Sequence, residues 1–171
     1  MAWKLYNHGT RELNGSLSSR SPDATVSRLQ LTGLHLVQYD GDQVRWQMNA
    51  AQASHQADDS IIVRHPDLTI RRAHDDEFSV AACDGRVEQA TRAMSFMGAV
   101  HVSDERGNLL LTDQLSFDPE RNMLHTQSHF VLEGSKVRLS GVGLQLNPDN
   151  RSMSVLKQVR MVVPKGWKNL V

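Results

Sequence analysis

The sequence predicts an all-β protein, an elongated, twisted antiparallel β-jelly roll in which two facing sheets enclose an apolar interior with open ends. Three observations lead to this prediction. Apolar residues recur at every second position in short runs, as in half-buried strands. Asp-Gly, Asp-Pro and Asn-Pro turn signals separate these runs. No stretch of a dozen residues keeps the spacing of an amphipathic helix, and residues 52–55 could hold one helical turn at most.

The composition indicates one ordinary globular domain and argues against several functional classes. The chain has 171 residues, 39% of them hydrophobic and 22% charged. Its 19 basic and 19 acidic residues cancel, so no net field favours nucleic acid or an anionic membrane. A single cysteine, Cys83, excludes an intrachain disulfide and a zinc site built from several thiolates. No apolar run reaches the roughly 20 residues that a membrane-spanning helix needs.

The β-pattern defines three regions of the chain. Residues 1–24 are polar and are expected to form a flexible leader. Trp3, Lys4 and Tyr6 are types that lie at a membrane interface, so the leader is expected to follow a removed membrane anchor, the alternative being an ordinary flexible tail. Residues 25–164 are expected to form the β-jelly roll, and residues 165–171 a C-terminal tail.

The first strands of the domain surround a clear hairpin signal. Asp40-Gly41 favours a tight turn between two strands. Residues 58–60 turn the chain again, and a second apolar face starts at Ile61 and Val63. The strand after the Asp-Gly turn alternates, with apolar side chains on one face at Val44, Trp46, Met48 and Ala50.

Three later units repeat this plan. Asp84-Gly85 is interpreted as a turn or bulge, whereas residues 90–92, 106–108, 118–120 and 147–150 are predicted turns. Polar turns begin near Asp59, Arg92, Arg121 and Arg151, a period of about 30 residues that is typical of one supersecondary unit. In the third unit, a single apolar phase is assigned to Leu109, Leu111, Leu115 and Phe117.

The apolar phase changes within several units. In the first unit the apolar positions are even-numbered through Ala50 and odd-numbered from Ile61. In the last unit they change from odd at Leu139 to even at Leu144, with two glycines between them. Since a change of phase moves side chains to the other face, it predicts a bulge or a strand that bends from one sheet into the other.

No pattern of catalytic or metal-binding residues emerges. His125 and His129 would lie roughly 13 Å apart on a strand, too far to bind one ion directly. There is no Gly-x-Ser-x-Gly elbow and no glycine-rich phosphate loop, and Cys83 has no neighbouring base in the chain. We therefore expect no enzymatic activity, no metal and no cofactor. A hydrolase assembled from distant strands remains an alternative.

The apolar interior itself is the candidate site. Two interpretations stay open at this point: a plain core, as in a structural or interaction β-repeat module without a lipid ligand, and a groove that admits a long apolar molecule. Methionines are frequent among the interior positions and adapt to irregular apolar partners. The candidate lining residues are Trp46, Met48, Val63, Leu68, Phe78, Val80, Phe96, Val100, Leu111, Phe117, Leu139 and Leu144.

The order and spacing of several short motifs resemble the LptC family of lipopolysaccharide export proteins. The resemblance covers about residues 25–164. It rests on YDG at 39–41, VRWQMNA at 44–50, PDLT at 66–69, FSVAACDG at 78–85, MGAVHV at 97–102, SGVGLQL at 140–146 and KQVR at 157–160.

The resemblance implies a non-enzymatic domain that binds lipopolysaccharide and transfers it. In such a family the domain is periplasmic, is anchored to the inner membrane in the full-length protein, and carries acyl chains inside the jelly roll. By resemblance, the edge at residues 156–163 faces an LptA-like periplasmic bridge protein, and the edge at residues 29–37 faces the inner-membrane ABC transporter complex. Copies could also associate edge to edge, and a relative closer to the bridge protein is the alternative.

Overall fold

The computed structural model describes residues 30–71 and 77–163, and every regular element within these ranges is a β-strand. The all-β prediction is therefore confirmed for this part of the chain, whereas the predicted leader and tail lie outside it. The strands are β1 (Gln30–Asp40), β2 (Gln43–His55), β3 (Ser60–Arg64), β4 (Asp67–Arg71), β5 (Glu77–Ala81), β6 (Asp84–Glu88), β7 (Met94–Asp104), β8 (Leu109–Asp118), β9 (Met123–Glu133), β10 (Arg138–Asn147) and β11 (Ser152–Val162).

The strands form one antiparallel sheet in which each long strand pairs with its neighbours in sequence. β3 and β4 together run along β2 in one unbroken register, because Asn49 pairs with Asp67 and Gln52 with Arg64. β5 and β6 continue this arrangement along β4 and β3, respectively. The eleven strands are therefore nine consecutive passes of a meander, with β1 and β11 as the two edges.

Most of the predicted turns are confirmed where the chain reverses. Asp40-Gly41 joins β1 to β2, with Gly41 in the left-handed region at φ 61°. The predicted period has a structural counterpart in non-glycine residues with positive φ that lie in the turns before β3, β7, β9 and β11. These are Asp59, Arg92, Asn122 and Arg151, so the third one lies one residue beyond the predicted Arg121.

The long strands bend near their middle, as the phase changes predict. Pairing of β7 with β8 shifts between Met97 and Val100, across the left-handed pair Gly98-Ala99. The register of β10 shifts between Ser140 and Val142 against β11, and between Val142 and Leu144, across Gly143, against β9. Each shift is a bulge, which increases the local twist and turns a strand toward the other layer.

The bends divide the sheet into two halves that face each other. Half-sheet A contains β4, β5 and residues 46–49, 100–104, 109–112, 130–133, 138–141 and 160–162. Half-sheet B contains β3, β6 and residues 52–55, 94–97, 115–118, 123–126, 144–147 and 152–157. Side chains from both halves, such as Leu68 and Phe96, belong to one buried apolar cluster, which is the core of the jelly roll.

Two threonines stabilise the bend between β8 and β9. Thr112 is buried, and its hydroxyl donates to the carbonyl oxygen of His129 over 2.9 Å. The hydroxyl of Thr126, also buried, accepts a hydrogen bond from the backbone N–H of Ser128. These bonds satisfy backbone groups at the interruption of the ladder, which would be costly to bury without partners.

One local expectation is wrong. Asp84-Gly85 is neither a turn nor a bulge, because Gly85 lies inside β6 and pairs with Val63 and Phe96 without a shift of register. Gly85 serves close packing instead: a Cβ atom there would lie 2.8 Å from the Cγ2 atom of Val63. Residues 52–55, for which the sequence allowed one helical turn at most, belong to β2 and pair with β3.

Candidate functional site: an apolar groove and its open edge

The structure brings almost all of the candidate lining residues together in the interior. Eleven of the twelve are buried members of the apolar cluster: Trp46, Met48, Val63, Leu68, Phe78, Val80, Phe96, Val100, Phe117, Leu139 and Leu144. They come from both half-sheets, so the interior is one continuous apolar layer.

Leu111 is the exception, and the assignment of one phase to β8 was wrong. Leu110 and Thr112 are buried in the first part of β8, and Leu111 is half-buried on the opposite face. The register of β8 shifts between Thr112 and Ser116, after which Leu115 and Phe117 point inward. A bulge inside β8 therefore changes the inward-facing positions from even-numbered to odd-numbered, so Leu111 and Phe117 lie on opposite faces of the strand.

An apolar pocket of about 210 Å³ lies between the half-sheets. Two candidate residues, Phe78 and Leu144, line it. The list of candidate residues omitted the other apolar lining residues, although Val102 alternates with the candidate Val100 and Leu146 with the candidate Leu144. These are Val102, Leu110 and Leu132 from half-sheet A, and Leu146 and Met153 from half-sheet B.

The polar rim of this pocket is held by the turn between β7 and β8. The carboxylate of Asp104 accepts hydrogen bonds from the backbone N–H groups of Arg106 and Asn108, both over 2.9 Å. It also accepts one from the side-chain amide of Asn108 over 2.8 Å. With Ser103, these groups form a narrow polar border at an otherwise apolar opening.

The interior is exposed along the C-terminal edge of the sheet. Met153 lines the pocket, and Met161 pairs with the buried Leu139, which places both side chains on the interior face. Nevertheless, Met153 is 41% exposed and Met161 is 62% exposed. Val159 lies on the same face as Met161 and is also exposed. We call Met153, Val159 and Met161 the inner row of β11.

The N-terminal edge is closed at the hairpin end of β1. Leu34 and Leu36 on β1 are buried, and Leu36 is 0% exposed. Close by, the indole N–H of Trp46 donates to the side-chain oxygen of Gln38 over 2.7 Å. A second pocket of about 410 Å³ lies here, between the β1–β2 hairpin and the turns that precede β7 and β9. Its lining is mainly polar or charged, as Arg45 and Glu120 illustrate, so the apolar interior does not open at this edge.

Groups capable of other chemistry lie away from the groove. Hydrogen bonds from the hydroxyl and backbone N–H of Ser60, with the nearby Arg86 guanidinium, hold the pKa of Asp58 below its ordinary value, although desolvation acts in the opposite direction. Asp58 belongs to the exposed turn between β2 and β3. Among the described residues, no group of three or more His, Cys, Asp or Glu side chains could hold a metal ion.

The fold and the groove define the protein class as a β-jelly-roll domain with an apolar interior that is open along one edge strand. The family model described as "Lipopolysaccharide-assembly, LptC-related" matches residues 1–163. The chain therefore belongs to the LptC-related family of lipopolysaccharide-assembly proteins, and its role lies in lipopolysaccharide transport in the cell envelope. A search of curated proteins finds no match. Residues 30–71 and 77–163 contain no helix that is long and apolar enough to cross a membrane.

Proposed function

We propose that this domain is a non-enzymatic carrier in the periplasm. It holds the acyl chains of lipopolysaccharide in the groove between its half-sheets and links the inner-membrane transporter to a periplasmic bridge protein. The observation that supports this proposal best is the exposure of Met153 and Met161 on the interior face of an edge strand. A closed structural core would cover these side chains, whereas a transfer path needs an apolar exit.

The pocket between the half-sheets is where we expect an acyl chain to bind first. Its volume of about 210 Å³ is below the ~300–1,000 Å³ of ordinary small-molecule sites. It therefore suits the end of one acyl chain. A lipid with several chains requires the half-sheets to separate, beginning at the β11 edge, where the inner row is already exposed.

The two edges suggest the order of the partners. β11 pairs only with β10 among the described strands and is exposed along nearly its whole length, so it can accept a strand from a bridge protein. Lys157 and Arg160 on this strand oppose unspecific pairing of edges. β1 then faces the transporter, at the end where the interior is closed.

Photocrosslinking to lipopolysaccharide tests the carrier function. A light-activated residue is placed at Phe78 and at Met153, which line the pocket, and at the matched controls Ser79 and Ser154, which follow them on the other face of the same strands. We expect crosslinks at Phe78 and Met153 and few at the controls. Equal crosslinking at all four positions, or none in a folded protein, would contradict the proposal and favour the structural module with a solid core.

A further inference from the structure

Five of the six methionines in the described residues fall into two groups that differ in their access to solvent, and the sixth, Met123, is half-buried. Met48 and Met94 are 0% and 1% exposed, inside the core. Met97, Met153 and Met161 are all more than two-fifths exposed. A thioether is readily converted to a sulfoxide, and exposure decides which thioethers an oxidant reaches first. The structure therefore separates a protected group from an accessible group.

The accessible methionines differ in the surface on which they lie. Met153 and Met161 belong to the inner row of β11, and Met153 also forms part of the pocket wall. Met97 lies at the bend of β7, where it pairs with Asp84 and follows the buried Phe96, so its side chain points to the outer face. Two of the three reactive thioethers thus lie at the opening of the apolar groove.

We propose that Met153 and Met161 form a peroxide-sensitive modification site that closes the groove to apolar chains. The effect of oxidation on lipid binding rests on the proposed carrier function, whereas the oxidation of the two methionines does not. The modification site implies that oxidants in the envelope weaken lipid transfer at the exit before they damage the core.

The reaction needs only the thioether and a peroxide. A lone pair of the methionine sulfur attacks one peroxide oxygen, the O–O bond breaks, and a sulfur–oxygen bond forms. Proton transfer to the departing oxygen releases water when the oxidant is hydrogen peroxide. The sulfur loses two electrons and the peroxide gains them, so the step is balanced without a further reactant.

The product changes the opening physically. A sulfoxide is polar and accepts hydrogen bonds, whereas the thioether is apolar and flexible. Next to Leu144 and Leu146, an oxygen on Met153 would have to be desolvated when an acyl chain enters. A sulfoxide at Met97 would stay in water on the outer face, so it should have no such effect.

The first test measures which sites are oxidised. The full chain is treated with hydrogen peroxide, and the extent of oxidation at each methionine is followed by peptide mass spectrometry. We expect Met97, Met153 and Met161 to react at least about tenfold faster than Met48 and Met94, which react only through local opening. Equal rates at exposed and buried sites would overturn the assignment.

The second test measures binding of a fluorescent long-chain fatty acid and of lipopolysaccharide before and after oxidation. We expect oxidation to weaken binding about tenfold, equivalent to one decade in Kd. The double variant Met153→Leu/Met161→Leu should keep its affinity after peroxide, whereas Met97→Leu should lose it like the wild type. Methionine sulfoxide reductases for both epimers should restore the wild type.

The outcomes separate the two proposals. Unchanged affinity after complete oxidation of Met153 and Met161 would refute the closure of the groove but leave the carrier function intact. Failure of the unoxidised protein to bind either lipid would refute the carrier function and the closure of the groove, while the oxidation rates would still decide whether the modification site exists.

Discussion

The two edge strands of the described sheet have opposite relations to the core. β1 and β11 each pair with one strand only among the described elements. On β1 the interior-facing Leu34 and Leu36 are covered. On β11 the corresponding Met153 and Met161 are exposed. The same meander therefore ends in a closed edge on one side and an open edge on the other.

The difference shows that the covering half-sheet, and not apolar character, decides which edge is buried. The hairpin formed by β1 and β2 approaches the turns that precede β7 and β9, with which it shares a pocket. At the other end, β11 contains a bulge at Gln158, a residue with φ 53°, and no described strand lies beyond β11. An apolar strand left uncovered in this way indicates a surface for a ligand or partner.

The largest expected difference in stability is between two variants that each place a charge on one edge strand. Leu36→Arg buries an unpaired guanidinium, and we expect it to reduce the free energy of unfolding by about 3–5 kcal/mol or to prevent folding. Met161→Arg should change the free energy of unfolding by less than about 0.5 kcal/mol, because its side chain is already exposed. Urea unfolding of both variants measures the difference. Similar losses for the two would show that the edges do not differ.

An intermediate loss of stability is expected when a methyl group is added to β10, the strand that pairs with β11. A Cβ atom at Gly141 would lie 2.9 Å from Cγ1 of Val155 and 3.1 Å from both the carbonyl oxygen of Lys157 and a ring carbon of Phe130. Gly141→Ala should therefore destabilise the domain by about 1–3 kcal/mol, mainly through displacement of β11.

Amide hydrogen exchange locates this displacement. We expect Gly141→Ala to increase the exchange rate, relative to the wild type, more along β11 than along β1. The neighbouring control Ser140→Ala should leave the exchange rates of both edges unchanged. Exchange that increases equally at both edges would mean that the glycine supports the whole core and not one edge.

The smallest effect concerns the turn after β2, the strand that pairs with β1. The depressed pKa of Asp58 means that its ionised carboxylate stabilises this turn at neutral pH, and that the contribution is lost as the pH falls below about 4. Titration of the side-chain carboxyl by NMR should give a pKa below the usual value, and Ser60→Ala should raise it. A carboxyl of Asp58 that titrates at or above its usual value would contradict the hydrogen bonds described for the turn.

Much of the fold could be predicted from local pattern because strand alternation and turn chemistry are local. Asp40-Gly41 and the proline turns lie where their residue types require. The change of phase between Leu139 and Leu144 correctly indicated a bend in β10. These features depend only on residues close in sequence, which is why a single sequence is sufficient to find them.

The remaining features depend on partners that are distant in sequence. Leu111 was assigned to the interior because no glycine or proline in the sequence indicates the bulge in β8. Gly85 was assigned to a turn or bulge although its role is close packing against Val63, a contact between two strands. The openness of the groove was equally hidden, since Met161 has the same alternation as a buried residue and only its edge position exposes it.

The pairing of each pass with its immediate predecessor also bears on how the chain reaches its folded state. Among the described strands, none pairs with a segment from the far end of the polypeptide, and the pairing with the widest separation in sequence joins Ser60 of β3 to Glu88 of β6. Loop-closure costs are correspondingly small, which favours rapid folding. A chain that folds from its N-terminus could therefore add one hairpin after another, and β11 would be the last of the described strands to join.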